Sequence, residues 1–135
     1  MKYLVDVNVL SEPTKPQPSP RVLAWIARNE AHSVVDAVVL AEISRGIDAM
    51  PSGRRKRDLE SWFQELRSTA ICLDWTEETG IVWGKLFNKV KRTGFTVGMA
   101  DTMIAATAKL HGLTVATRNV TDFTRCGVSV VNPFE

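Results

Sequence analysis

Five short apolar runs divide this chain, and a stretch patterned as helix lies between each run and the next. The runs are Lys2 to Val5, Ser33 to Val35, Ile71 to Leu73, "LTVAT" and "VSVV". Strands separated in this way cannot be joined by hairpin turns; they need crossovers, which lay strands parallel with helices on both faces. The alternation predicts an α/β fold, a three-layer α/β/α sandwich around a mostly parallel central sheet. Nothing repeats, no low-complexity linker interrupts the pattern, and 135 residues suffice for one core without disulfides or a structural metal. Residues 1–135 thus read as a single domain.

Local chemistry marks the helices. "PTKPQPSPR" holds four of the six prolines and is expected to be a stiff surface connection, since proline neither continues a helix nor donates to a ladder. Ser19 is placed to cap a helix with Pro20 at its first position and Val22, Trp25 and Ile26 as its buried stripe. "DAVVLAEISRGIDAM" follows the second run, capped by Asp36 and stopped by "PSG". A third helix is expected from Ser52 to near Arg67, with Leu59, Trp62, Phe63 and Leu66 on one face; a fourth opens at Thr76 and carries Trp83, Leu86, Phe87 and Val90. "MADTMIAATAKLHG" is apolar almost all round, which predicts a buried fifth helix closed by Gly112. "RNVTDF" reads as a loop running into a short helical turn.

In open parallel sheets the working site lies beyond the carboxyl ends of the strands, near a switch in strand order. Four acids fall where the chain should reach that rim. Asp6 follows the first strand directly, Glu42 sits in the otherwise apolar "LAEI", Asp101 occupies the first turn of the fifth helix, and Asp122 lies just past the fourth strand. Each has a bland alternative: a turn with Asn8 for Asp6, a helix N-terminus for Asp101, a cap for Asp122, an ion pair with Arg45 for Glu42. The apolar neighbours of Glu42 argue against the exposure such a pair implies. Four like charges at one rim repel one another unless a cation neutralises them, and an all-oxygen set suits a hard divalent ion, Mg²⁺ or Mn²⁺.

"YLVDVNVLSE", "VLAEISRGI", "GMADTMIAATAKLHGLTVATRNVTDF" and the closing "VVNPFE" resemble the PIN-domain ribonucleases, in particular the VapC-type toxins of bacterial toxin–antitoxin pairs and their FitB-like subgroup. The resemblance spans nearly the whole chain in order. It implies that Asp6, Glu42, Asp101 and Asp122 are the catalytic acids, with Asp6 and Asp101 as direct metal ligands and Asn8, Thr117 and Asn119 as supporting polar residues. It also implies an RNA substrate, a cognate VapB-type antitoxin, a homodimer, and a larger assembly with the antitoxin on operator DNA. Val7 and Val39 stand where the family commonly has Thr, which predicts the loss of a hydroxyl near the metal.

The chemistry expected is phosphodiester hydrolysis by a Mg²⁺-activated water, since no Cys–His or Ser–His pair accompanies these motifs. A PIN-like module that binds RNA or an antitoxin without turnover carries the same signature. A phospho-accepting receiver domain would want Asp74 as acceptor and a late Lys, which the fourth strand lacks. The run Arg54, Arg55, Lys56 and Arg57 opens the third helix, where the macrodipole disfavours cations, and so is a candidate RNA or partner contact. The net charge of +2 permits an anionic partner without demanding one. Cys72 and Cys126 read as reduced packing residues. No charged leader opens the chain, and no apolar stretch reaches the roughly 18 residues of a spanning helix, which predicts a cytoplasmic protein with no membrane contact.

Overall fold

The computed structural model describes residues 1–135. All five expected strands form, as β1 (Tyr3–Val5), β2 (Ser33–Asp36), β3 (Cys72–Leu73), β4 (Thr114–Ala116) and β5 (Val130–Val131). They make one sheet in the order β3-β2-β1-β4-β5, and every pairing is parallel. The chain leaves β1 toward β2 on one side and later returns to β4 on the other, so the strand order switches direction at the β1–β4 edge. A crevice opens at the carboxyl ends of such a pair.

The helices are α1 (Val7–Leu10), α2 (Pro20–Asn29), α3 (Ala37–Asp48), α4 (Arg54–Thr69), α5 (Glu77–Arg92), α6 (Met99–His111) and α7 (Val120–Arg125). Their starts follow the expected chemistry. Ser19 Oγ accepts from the Val22 N–H, Asp36 Oδ1 from the Val39 N–H at 2.8 Å, and Thr76 closes a capping box with Thr79. Gly112 ends α6 at φ 65°, a left-handed conformation that costs other residues a Cβ clash. α4 begins two residues later than expected, because Gly53 sits at φ 155°, a non-helical conformation open chiefly to glycine.

Successive residues of β1 and β4 point into two different cores. Leu4, Val34, Val115 and Ile104 belong to a larger cluster with α3, α5, α6 and α7, whereas Val5 and Ala116 join Val9, Val22 and Trp25 beneath α1 and α2. α4 packs against α3 with Leu59, Trp62, Phe63 and Leu66, yet buries no residue fully. Two expectations need correction here. The proline-bearing stretch is not all irregular connection: α1 precedes it and a 3₁₀ turn over Glu12–Thr14 takes in its first two residues, because Asp6 supplies a cap and Pro13 fits the first turn of a helix. Cys126 is buried, but Cys72 is exposed, since the two-residue β3 is the sheet's edge.

Candidate active site

The site grows from the ends of β1 and β4. The Asp6 N–H donates to the Ala116 carbonyl at 2.9 Å, and the Thr117 N–H donates to that of Val131 at 3.0 Å, so the two chain exits are tied before any side chain is considered. Asp6 is 5% exposed, and its Oδ1 accepts from the Val7 N–H at 2.8 Å while capping α1. Its Oδ2 accepts from the Thr117 hydroxyl at 2.7 Å and from Asn8 Nδ2 at 3.4 Å. Asn8 Oδ1 accepts from the Arg118 N–H, and Thr117 Oγ1 from the Asn119 N–H. Asn119 Nδ2 then bridges two acids, donating to Asp101 at 2.6 Å and to Asp122 at 3.0 Å. Three carboxylates separated by up to 116 positions thus share one polar network at the strand switch, carried by Asn8, Thr117 and Asn119.

The electrostatics are unfavourable in the bare protein. Burial pushes the Asp101 carboxyl up to about 6, and the charges of Asp6, Asp122 and Glu42 push it the same way against the Asn119 hydrogen bond. Asp6 is raised as well, first by burial and then by Glu42, although the Thr117 and Val7 donors oppose the shift. The amide and hydroxyl donors hold these oxygens in place without cancelling their charge. No three acids form a ready-made metal cage. That arrangement still suits Mg²⁺, which is commonly held by one or two carboxylates with water and substrate phosphate completing an octahedron.

Glu42 departs from its expected setting. Its side chain is 34% exposed and pairs with Arg45 Nη2 at 3.1 Å, because Ala41 faces solvent and only Ile43 turns into the core. It lies near enough to raise both Asp6 and Asp101. The basic run divides. Lys56 Nζ donates to the Asp48 and Met50 carbonyls at the end of α3, and Arg55 Nη1 donates to the Thr14 carbonyl at 2.8 Å, leaving Arg54 and Arg57 exposed. Val7 is half-buried against the larger core, and Asp6 has three donors without a hydroxyl there; Val39 is wholly buried.

Asp36, read from the sequence only as a cap, is a further buried acid at this rim. It is 1% exposed, accepts from the Thr107 hydroxyl at 2.7 Å, and is raised chiefly by burial, with Asp6 adding to the shift. The available signal was Thr107 within "AATA", a hydroxyl on a buried helix face that needs an acceptor. Glu12 is also buried, and it fixes the proline-bearing loop through the Ser19 N–H at 2.9 Å and Lys15 at 3.0 Å.

The acids cluster at the β1–β4 switch of an all-parallel five-stranded sheet, and the PIN domain profile matches residues 3–127. The chain belongs to the PIN-domain family. Among its relatives, toxin FitB of Neisseria gonorrhoeae is 34% identical over 135 residues, with 97% of each chain covered. VapC ribonuclease Y4jK of Sinorhizobium fredii is 33% identical, covering 98% of this chain and 97% of its own. The crystal structure of FitAcB from Neisseria gonorrhoeae is similar at a TM-score of 0.89 and 34% identity, over 98% of this chain and 99% of that one.

Proposed function

We propose that this chain is a VapC-type endoribonuclease, the toxin of a toxin–antitoxin pair, acting as one nuclease domain over residues 1–135. The observation that carries the reading is the network that brings Asp6, Asp101 and Asp122 to one rim while leaving their charge uncancelled. Asp6 and Asp101 would hold Mg²⁺, or Mn²⁺ in its place. When bound, the ion supplies a water of lowered pKa and stabilises charge on the scissile phosphate. Thr117 and Asn8 fix the Asp6 carboxylate, and Asn119 fixes the spacing of Asp101 and Asp122. Asp122 and Glu42 would orient waters at the rim; Glu42 is free to do so once Arg45, itself 73% exposed, swings into solvent.

Names of relatives and neighbours support the partners. FitAB is described bound to a DNA fragment, and VapBC complexes from Rickettsia felis and Salmonella typhimurium are described on DNA. By that likeness the chain pairs with a VapB-type antitoxin, forms a homodimer, and joins an assembly on operator DNA. No helix is long and apolar enough to cross a membrane; the proposed place of action is the cytoplasm, where RNA is met. The three donors on Asp6 favour turnover over a binding-only module, since they stand without any hydroxyl at position 7.

The test is cleavage of end-labelled total RNA by antitoxin-free protein in Mg²⁺, Mn²⁺ and EDTA, beside Asp6→Ala. Discrete products that need metal and vanish in the variant are expected. RNA binding without products under any metal would favour the binding-only module.

A further inference from the structure

The Arg118 side chain and the closing "VVNPFE" stand outside the acid network, and the fold brings them together. The Arg118 guanidinium lies over the Phe134 ring, with Cζ 3.7 Å from the ring centroid. Its backbone is fixed to the site, because the Arg118 N–H donates to Asn8 Oδ1 at 3.0 Å and the flanking Thr117 and Asn119 hold the acids. The ring is fixed as well. Asn132 Oδ1 accepts from the Phe134 N–H at 3.0 Å, Pro133 is buried, and Phe134 packs against the cluster of Val5, Val22 and Trp25.

A guanidinium held over an aromatic ring by its cationic carbon keeps its N–H donors available, and that planar fork matches the two oxygens of a phosphate. Those donors have no protein partner: the ion pairs of this chain are Lys15–Glu12 and Arg45–Glu42, and no hydrogen bond engages the Arg118 side chain. The Arg118 charge adds to the forces that hold the Glu12 carboxyl below its usual range, but Glu12 is already taken by the Ser19 N–H and Lys15. An exposed cation is thus carried on the residue between Thr117 and Asn119, whose side chains hold the acids that would otherwise repel a polyanion.

We propose that Arg118, seated on Phe134, binds a backbone phosphate of the RNA strand next to the scissile bond, and that the "NPF" turn places the ring for it. The assignment rests on the ribonuclease reading, so binding and cleavage are measured separately. Anisotropy of a short fluorescein-labelled single-stranded RNA, in Ca²⁺ in place of Mg²⁺ and over a range of salt, compares wild type with Arg118→Ala, Arg118→Lys, Phe134→Leu and Arg67→Ala. Arg67 is an exposed arginine 6.0 Å from the Phe63 ring, at the end of α4 where the chain enters β3, and serves as the matched charge loss away from the rim.

Arg118→Ala is expected to weaken binding by about tenfold and to flatten the slope of log affinity against log salt by about 0.7. Arg118→Lys should restore the slope but not the affinity, because an ammonium lacks the planar fork. Phe134→Leu should keep the charge and weaken binding by about threefold, a loss on the scale of a cation–π contact. In cleavage, Arg118→Ala should raise KM with kcat nearly unchanged. Arg118→Ala matching Arg67→Ala in affinity and slope would overturn the proposal, as would wild type that binds no RNA. Wild type that binds RNA through Arg118 but cleaves none would overturn the ribonuclease reading and leave the phosphate contact standing.

Discussion

The rim between β1 and β4 and the basic start of α4 both concentrate charge, yet they are built in opposite ways. At the rim, like charges are buried or half-buried and gathered by donors from elsewhere in the chain: Thr117 reaches Asp6 across 111 positions, and Asn119 joins Asp101, 18 positions away, to Asp122. At α4, the cations are exposed or half-buried, and those engaged meet backbone carbonyls nearby, Lys56 at the end of α3 and Arg55 at Thr14. Electrostatic strain accumulates only in the first region, where Asp101 rises to about 6. Charge that a fold holds against repulsion marks a site; charge it leaves solvated marks a surface.

The largest expected effect breaks the rim. Asp101→Asn should lower cleavage by at least about a thousandfold, the scale of removing a direct metal ligand, with an unchanged far-ultraviolet circular dichroism spectrum. Retained activity would remove Asp101 from the ligand set. Next comes Thr117→Val, which deletes the donor to a buried carboxylate and should cost about 1–3 kcal/mol in urea unfolding besides slowing cleavage.

A third prediction concerns pH in metal-free protein. Burial raises the Asp101 pKa above that of an ordinary carboxyl, so the folded state holds a proton that the unfolded state releases first. Its ionisation penalty is absent below the unfolded pKa and accumulates as pH rises through the folded value of about 6. Asp101→Asn should therefore be more stable than wild type at pH 7 by about 1–2 kcal/mol, allowing for solvent screening, and no more stable at pH 4. Thermal melts at the two pH values check it; an equal difference at both would refute the coupling. The smallest effects belong to α4. Lys56→Ala should cost about 0.5–1 kcal/mol through the uncapped end of α3. Arg54→Ala and Arg57→Ala should each stay within about 0.5 kcal/mol by urea melts.

The same contrast explains what the sequence disclosed. Local rules located Ser19, Asp36 and Thr76 as caps and Gly112 as a stop, because a cap is read from a few neighbouring residues. The sheet followed from the alternation of strand and helix. Asp6, Asp101 and Asp122 were legible by their placement near strand ends, yet their hydrogen bonds were not, since Asn119 lies 18 positions from the Asp101 it holds. Glu42 misled: apolar neighbours in sequence suggested burial, but on a helix the adjacent residue faces another direction, and Ala41 is exposed. α1 escaped notice because four helical residues are too few for periodicity to register. The Arg118–Phe134 stack joins β4 to the chain end and has no local signal at all.

Asp6 and Asp101 are proposed to share a divalent ion. Mn²⁺ titration of the purified, metal-free protein, followed by electron paramagnetic resonance of the free ion, tests it most directly. Wild type should take up Mn²⁺ more weakly as pH falls through about 6, and Asp6→Ala and Asp101→Asn should each abolish the uptake while Arg54→Ala leaves it intact. Uptake unchanged in both acid variants would contradict the account.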